Sequence, residues 1–284
     1  MRRLQLQPNN FVVVLPDSHA HPDLDNDRYS ALGNLVAQMI VDNPDHQVCL
    51  LNLGDMADMP SLSSYDKGKK SFEGRRFHRD VEATIDAQNK LFEPIDTLFD
   101  RASLNKKRKP NFISAHVLGN HDEHRVHKLV ELHPELDGVI TLDALRYDRY
   151  WNVVVPFKEI LILNDVAVSH YFTSGIKGAA IGGENAARSL ILKNHMSSIA
   201  GHSHVWDHKE LASVDGRKMF GLVGGCYVHP KMIADWNKDT VHFWNNCITI
   251  LSNVNNGTYS SMLKIPQEEV LTYKAPYKSY ALQD

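Results

Sequence analysis

The feature that most constrains the fold of this chain is a series of apolar runs, each followed at once by residues able to bind a metal. The first run, FVVVL, ends at Asp17 and His19, and later runs end in GDMAD, GNHDE, SHYF and GHSH. Short β-branched, apolar runs are typical of buried strands. The segment between the first two runs has apolar residues at helical spacing, which indicates a βαβ order. The sequence therefore predicts a mixed α/β fold with these polar residues at the carboxyl ends of strands, where α/β sheets bind ligands.

A long excursion, residues 59–111, separates the second predicted strand from the third. Its pattern predicts a helix or a helix pair, with Pro94 as a break or kink, and we interpret the excursion as a helical cap inserted over the cleft. The second half of the chain is richer in strand-like runs, and Asn255-Asn256-Gly257 has the composition of a hairpin turn between two of them. Because no linker or repeat divides the sequence, we predict a single domain over residues 1–284.

Composition bounds the function only loosely. The formal net charge of −3 means that nucleic acid could bind only through a local basic patch. The cysteines Cys49, Cys226 and Cys247 are too scattered for a disulfide framework or a zinc knuckle, which suits a reducing compartment. No run approaches the roughly 18 apolar residues of a membrane span, and the early apolar run is too short for a signal peptide. We therefore expect a soluble, cytoplasmic protein without a membrane partner.

The residues that end the apolar runs have the chemistry of a divalent-metal centre. Each ion needs about four to six nitrogen or oxygen ligands, and a carboxylate can bridge two ions. A turn or a helix cap would explain any one of the clusters, but not five in this order, each after an apolar run. Imidazole together with carboxylate suits Mn, Fe or Zn better than Mg or Ca. We predict two divalent ions, Mn before Fe, Zn or Mg.

The ordered series D-x-H, G-D-x-x-D, G-N-H-D, H and G-H-x-H resembles the calcineurin-like metallophosphoesterase superfamily over about residues 11–205. The resemblance implies a two-sheet mixed β-sandwich flanked by helices, with a dinuclear metal site at the strand ends. It also implies that His121 acts outside the metal shell, as leaving-group acid or phosphate contact, and that Asp58 orients it. The implied metal ligands are Asp17, His19 and His204 for one ion, Asn120, His170 and His202 for the other, and Asp55 as the bridge.

A departure from the family pattern affects the expected substrate. The Ser/Thr protein phosphatases of the superfamily carry arginine after the second aspartate of the G-D motif and glutamate after G-N-H, where this chain has Met59 and Asp122. The missing phosphate-clamping arginine favours the phosphodiesterase and nuclease branches. The resemblance thus implies hydrolysis of a phosphoester in nucleic acid or nucleotides by a hydroxide that bridges the metals. The alternatives are a phosphomonoesterase for a small molecule, nucleotide or protein, and, less favoured, a non-enzymatic scaffold.

Two basic runs border the excursion, DKGKKSFEGRRFHRD at its start and NKKRKP near its end. We interpret the first as a phosphate-backbone or nucleotide contact, with Phe72 and Phe77 available for stacking. The alternative for either run is a solvated helical face or loop. The Gly-rich segment 173–190 could offer N–H groups to a phosphate, although a flexible loop explains it as well. The candidate substrate-binding residues are Lys69, Lys70, Arg75, Arg76 and His21.

Overall fold

The structure is a computed structural model that describes residues 1–104, 106, 109–232 and 241–274. The helices of this part of the chain are α1 (Asp27–Asp42), α2 (Phe77–Leu104), α3 (Arg125–Leu132), α4 (Tyr147–Tyr150), α5 (Ala186–Asn194) and α6 (Gln267–Val270). The strands are β1 (Arg2–Leu4), β2 (Asn10–Leu15), β3 (Gln47–Asn52), β4 (Phe112–Val117), β5 (Val153–Val155), β6 (Leu161–Leu163), β7 (Val166–Val168), β8 (Thr173–Ser174), β9 (Ala179–Ala180), β10 (Ser198–Ala200), β11 (Trp206–Ala212), β12 (Lys218–Gly224), β13 (Cys247–Ser252) and β14 (Ser261–Pro266).

Two mixed sheets of six strands each dominate the described residues. The first sheet has the order β14-β13-β2-β3-β4-β5, in which the four strands from β2 to β5 are parallel. The second sheet has the order β1-β6-β7-β10-β12-β11, and its central strands β7, β10 and β12 are parallel. The predicted hairpin around Asn255-Asn256-Gly257 is confirmed, because β13 and β14 pair antiparallel on either side of it.

The alternating direction of side chains along each strand explains how the helices and the two sheets pack. In β2, Val12 and Val14 point into the apolar layer between the two sheets, while Val13 and Leu15 belong to the core under α1 and α2. Successive side chains of a strand face opposite sides of the sheet, so one run supplies both layers. On the far side, α5 packs on the second sheet through Leu190. The fold is therefore α/β, with helices on the outer faces of two mixed sheets.

The excursion between β3 and β4 contributes mainly to the core. Its long helix α2 continues through Pro94 without ending there, and its residues Leu91 and Ile95 are buried in the core of the first sheet. A Cβ atom on Gly33 of α1 would lie 2.3 Å from the carbonyl oxygen of Leu91, so this glycine permits the close approach of the two helices. The portion that reaches the cleft is the segment 61–72. The single domain and its cap stay predictions.

No helix within the described residues combines the length and the apolar character that crossing a bilayer requires.

Candidate metal centre

Five strand ends from both sheets meet at one edge of the fold. The parallel strands β2, β3 and β4 of the first sheet lead into Asp17, Asp55 and Asn120, respectively. In the second sheet, β7 and β10 lead into His170 and His202. Since carboxyl ends of parallel strands lie on the same edge, residues far apart in the sequence become neighbours there. All the residues that the resemblance implies as ligands lie in this cluster.

The first potential metal-binding group consists of Asp17, His19 and His204, all buried. The Nε2 atoms of His19 and His204 lie 3.1 Å apart, and Nε2 of His204 lies 3.5 Å from Oδ1 of Asp17. One ligand atom from each residue lies within 4.8 Å of the others. The three side chains therefore converge on a space of the size that one ion fills.

A second group is formed by Asp55, His170 and His202, with Asn120 beside it. Nε2 of His170 lies 3.4 Å from Oδ2 of Asp55, 3.2 Å from Nδ1 of His202 and 2.9 Å from Oδ1 of Asn120. Imidazole nitrogens together with a carboxylate and an amide oxygen match the donors that Mn, Fe and Zn accept.

Asp55 lies between these two groups and forms a further potential metal-binding group with His19 and His121. Its Oδ2 atom is 3.9 Å from Nε2 of His19 and 3.4 Å from Nε2 of His170. Its Oδ1 atom accepts a hydrogen bond from the backbone N–H of His121 at 2.8 Å, which fixes the orientation of the carboxylate. A carboxylate in this position could bridge two ions. These buried histidine and aspartate groups could thus hold metal.

Two of the histidine rings make a hydrogen bond through Nδ1, on the side away from the centre, and this bond orients Nε2 towards the centre. Nδ1 of His170 donates to the carbonyl oxygen of Leu53 at 2.8 Å, and Nδ1 of His19 lies 3.0 Å from Oδ1 of Asp58. In both rings Nε2 then faces the other potential ligands. Metal-binding histidines usually have such a partner on the second nitrogen, because it holds the tautomer and the ring orientation. The donor set and its support therefore fit a divalent ion.

The protonation states of the centre also suit cation binding. Burial alone would raise the pKa of Asp55, but the charges of His170 and His121 outweigh it and hold that pKa well below its ordinary 3.8. Burial would lower the pKa of His170, whereas the Asp55 carboxylate raises it to about 9. A proton on His170 and a metal cation are alternative ways to offset the charge of Asp55. We therefore expect cation binding at this group to release a proton.

The backbone around the centre is held in conformations that side chains rarely adopt. His19, Asp55, His202 and His204 all have positive φ angles, between 46° and 71°. Non-glycine residues in this region cost free energy, and such residues concentrate at functional sites. The strain is consistent with a backbone whose conformation places side chains on the centre.

Two motif glycines allow the carboxylates to approach the backbone. A Cβ atom on Gly119 would lie 2.0 Å from Oδ1 of Asp55, and one on Gly201 would lie 2.3 Å from Oδ2 of Asp17. Any side chain at either position would displace the carboxylate. The glycines of the G-N-H and G-H-x-H motifs are therefore required by close packing against two potential metal ligands.

His121 and Asp58 lie beside the centre in contact with each other. Nδ1 of His121 is 3.2 Å from Oδ1 of Asp58 and 2.9 Å from the carbonyl oxygen of the same residue. The sequence predicted the contact between Asp58 and His121 but not the second contact of this carboxylate, with His19. Burial raises the pKa of Asp58, but hydrogen bonds to His121 and His19 outweigh it and hold that pKa well below 3.8.

Sequence reasoning missed Arg125. Its Nη2 atom lies 3.1 Å from Nε2 of His121, and its Nη1 atom donates to the carbonyl oxygens of Asp58 and Met59 at 2.6 and 3.0 Å. The guanidinium therefore adjoins Met59, the position at which the family pattern has its arginine. The available signal was the spacing of four residues between His121 and Arg125, one helical turn.

Asp122 and Arg28 support the loops of the centre and were also missed. The carboxylate of Asp122 accepts hydrogen bonds from the N–H groups of Ala57 and Gly119, both at 2.9 Å, and so ties together the G-D and G-N-H loops. The buried guanidinium of Arg28 donates to the carbonyl oxygens of Ser18 and His19 at 2.7 and 3.2 Å. Neither side chain is among the potential metal ligands.

The predicted substrate-binding residues differ in how close they lie to the metal centre. Arg75 lies 2.7 Å from Oδ2 of Asp23 and 3.2 Å from Nε2 of His21, and His21 in turn lies 3.9 Å from Oδ2 of Asp58. Arg75 and Arg76 line a small, separate pocket with Asp23 and Glu73. Lys69 pairs with Asp66 at 3.9 Å, and Lys70 is exposed. Only His21 is brought close to the centre, and the substrate roles of all five residues stay predictions. Residues 105, 107 and 108 of the second basic run lie outside the described residues.

Two pockets open on the centre and share Asn120, His121 and His202. We call the first the basic pocket; it has a volume of about 420 Å³ and includes Lys67, Arg125, Lys128 and Lys158. The second pocket, of about 600 Å³, includes Asp55, Glu184, His204, Phe243 and Trp244. Both volumes lie in the range of small-molecule sites, roughly 300–1,000 Å³. From the Gly-rich segment, Ala180 borders the first pocket, and Gly183 and Glu184 border the second.

Compared with known proteins, the chain matches no protein-family model and no curated protein.

Proposed function

We propose that this protein is a metal-dependent phosphoester hydrolase of the calcineurin-like metallophosphoesterase superfamily, and that its substrate is a phosphodiester. The observation that carries the proposal is a set of histidine–aspartate groups at one edge of the fold, in which Asp55 joins His170 and His202 on one side and His19 and His121 on the other. Neighbouring potential metal groups with a carboxylate between them suit hydrolysis of a phosphoester, and we assign His121, as the resemblance implies, to the substrate and not to a metal.

In this proposal the chain supplies ligands, orientation and a proton. When bound, divalent ions would supply Lewis acidity and an activated water. Asp17, His19 and His204 would hold one ion, Asn120, His170 and His202 the other, and Asp55 both. Mn is our first choice of metal, because mixed imidazole and carboxylate donors suit it.

His121 would protonate the leaving group. Its Nδ1 atom is engaged with Asp58, and its Nε2 atom lies beside the guanidinium of Arg125 and 4.0 Å from Oδ2 of Asp55, on the side of the centre. The activated water would lose one proton to solvent, and the resulting hydroxide would add to phosphorus. As the bond to the ester oxygen breaks, that oxygen would take up a proton from Nε2 of His121, which would regain a proton from solvent. Histidine is suited to this transfer near neutral pH.

The two pockets favour a diester over a monoester. A phosphodiester carries two substituents on phosphorus, and two pockets meet at Asn120, His121 and His202. A monoester would need only one of them. The phosphomonoesterase remains the second candidate, since it would use the same metal ligands.

The test is hydrolysis of bis-p-nitrophenyl phosphate and p-nitrophenyl phosphate with added Mn²⁺, with single-stranded and double-stranded DNA assayed in parallel. Asp55→Ala should abolish the activity. The matched control is Asp143→Ala, which changes an exposed aspartate. Diester cleavage that is lost with Asp55 supports the proposal. Cleavage of the monoester alone would establish the second candidate, and no Mn²⁺-dependent activity on any substrate would contradict the hydrolase.

A further inference from the structure

We propose that the basic pocket binds the phosphate and the unpaired base of a neighbouring nucleotide, so that the substrate is a single-stranded oligonucleotide. This inference rests on the proposed function and specifies which substituent of the diester enters which pocket. Three features of the described residues support it: uncompensated positive charge, aromatic walls, and continuity with the metal centre.

The positive charge of the basic pocket is uncompensated. Lys67, Arg125, Lys128 and Lys158 line it, and among its described lining residues none is aspartate or glutamate. None of these four cations takes part in an ion pair between described residues, although the chain carries 34 acidic residues against 31 basic ones. Four positive charges without a carboxylate favour an anionic ligand.

Three other basic residues of the predicted cap provide the contrast. Lys69 pairs with Asp66, and Arg75 and Arg79 both pair with Asp23. Their charges are partly neutralised within the protein, whereas those of the basic pocket remain available to a ligand. The charge that would attract a phosphate therefore lies beside His121 and not at Lys69, Arg75 or Arg79.

Aromatic side chains form part of the walls of the same pocket. Tyr65, Phe72, Phe157 and Tyr171 line it, and the side chain of Tyr65 is 76% exposed. The ammonium group of Lys158 lies 5.4 Å from the centroid of the Phe157 ring, so a cation and a ring face occur side by side. Aromatic rings next to positive charges are how proteins bind the bases and phosphates of single strands.

The pocket is continuous with the centre through Asn120, His121 and His202. A scissile phosphate at the centre would therefore have one substituent in the basic pocket, with the next phosphate of that substituent among Arg125, Lys128 and Lys158. The second pocket has neither lysine nor arginine among its described lining residues and contains Glu184, Phe243 and Trp244. It offers no comparable site for a further phosphate, so the two arms of the diester are not equivalent.

The test compares three substrates with the same scissile bond: thymidylyl-thymidine, and the same dinucleotide with a further phosphate on its free 5′ or its free 3′ end. We expect one of the two phosphorylated forms to have a KM roughly tenfold lower than the plain dinucleotide. Replacing both pocket lysines, Lys128→Ala with Lys158→Ala, should remove that advantage. The charge-matched control is Lys193→Ala with Lys209→Ala, two exposed lysines outside both pockets.

If neither added phosphate lowers KM, or if the advantage survives the change of both pocket lysines, the inference is wrong. Binding without hydrolysis separates it from the proposed function. In EDTA, fluorescence polarisation of labelled oligothymidylate should show tighter binding to the wild type than to the pocket variant, with a steeper salt dependence. Pocket-dependent binding by a protein without hydrolase activity would contradict the proposed function but support the assignment of the basic pocket. Equal binding of a paired duplex would contradict that assignment.

Discussion

Oδ1 of Asp58 lies 3.0 Å from Nδ1 of His19, a potential metal ligand, and the same oxygen lies 3.2 Å from Nδ1 of His121. One buried carboxylate therefore orients both a ring that faces the metal centre and the ring proposed as proton donor. The two rings meet edge to face, with centroids 4.6 Å apart. In the proposed function, metal affinity and proton transfer would thus be coupled through Asp58.

We expect Asp58→Ala to weaken metal binding as well as turnover. Without the carboxylate, His19 loses the partner that holds its tautomer, and losses of this kind reduce metal affinity about 10- to 100-fold. Isothermal titration with Mn²⁺ measures the affinity, and Asp143→Ala, a change at an exposed aspartate, is the control. Unchanged Mn²⁺ affinity would show that Asp58 acts on His121 alone.

His121→Ala should retain the metals and lose proton transfer. General acid catalysis contributes about 10²- to 10⁴-fold, so hydrolysis of an alkyl diester should fall by that factor. Hydrolysis of bis-p-nitrophenyl phosphate should fall much less, because p-nitrophenolate leaves without a proton. Metal content by plasma mass spectrometry provides the second readout, and equal losses on both substrates would exclude the acid role.

Gly119→Ala should damage the centre without any change of ligand. The new Cβ atom would lie 2.0 Å from Oδ1 of Asp55, so the carboxylate must move and metal affinity should fall by at least about tenfold. Gly182→Ala is the matched control, since a Cβ there meets no atom within 4 Å. Titration with Mn²⁺ and the Tm of both variants measure the effect, and equal affinity in the two variants would contradict this packing.

Asp80→Asn should stabilise the fold at neutral pH. Burial is the main cause that raises the pKa of Asp80 from 3.8 to about 6, and its Oδ1 atom has no hydrogen-bond partner among the described residues. Because the folded pKa exceeds the unfolded value, the fold loses stability as pH rises from about 4 to about 6, by at most about 3 kcal/mol. The variant lacks this loss.

Urea unfolding at pH 4, 6 and 7.5 tests the Asp80 prediction. The free energy of unfolding of Asp80→Asn should exceed that of the wild type at pH 7.5, and the difference should shrink towards pH 4. Oδ2 of Asp80 accepts the N–H of Ser61 at 2.9 Å, a bond that an asparagine oxygen can keep. A difference that does not change with pH would mean that the carboxyl does not titrate as stated.

Much of the fold could be predicted because its signals are local. The β-branched runs of β2 and β3, the helical spacing of α1 and the hairpin between β13 and β14 all depend on residues close together in the sequence. The polar residues after each run could be located for the same reason, since a strand that ends at a sheet edge exposes the next residues there. The sequence also predicted which side chains would meet, although their roles as metal ligands remain to be tested.

Only the tertiary structure decided the surroundings of the centre. Arg125 reaches Asp58 because α3 packs beside the G-D loop, and Arg75 meets Asp23 across a separation of 52 residues. The spacing of four residues between His121 and Arg125 was a local signal for their contact. Nothing near Arg75 in the sequence, by contrast, indicates its pairing with Asp23. The physical reason is that strand and helix patterns arise from neighbouring residues, whereas the partner of a charge depends on which distant segments pack against it.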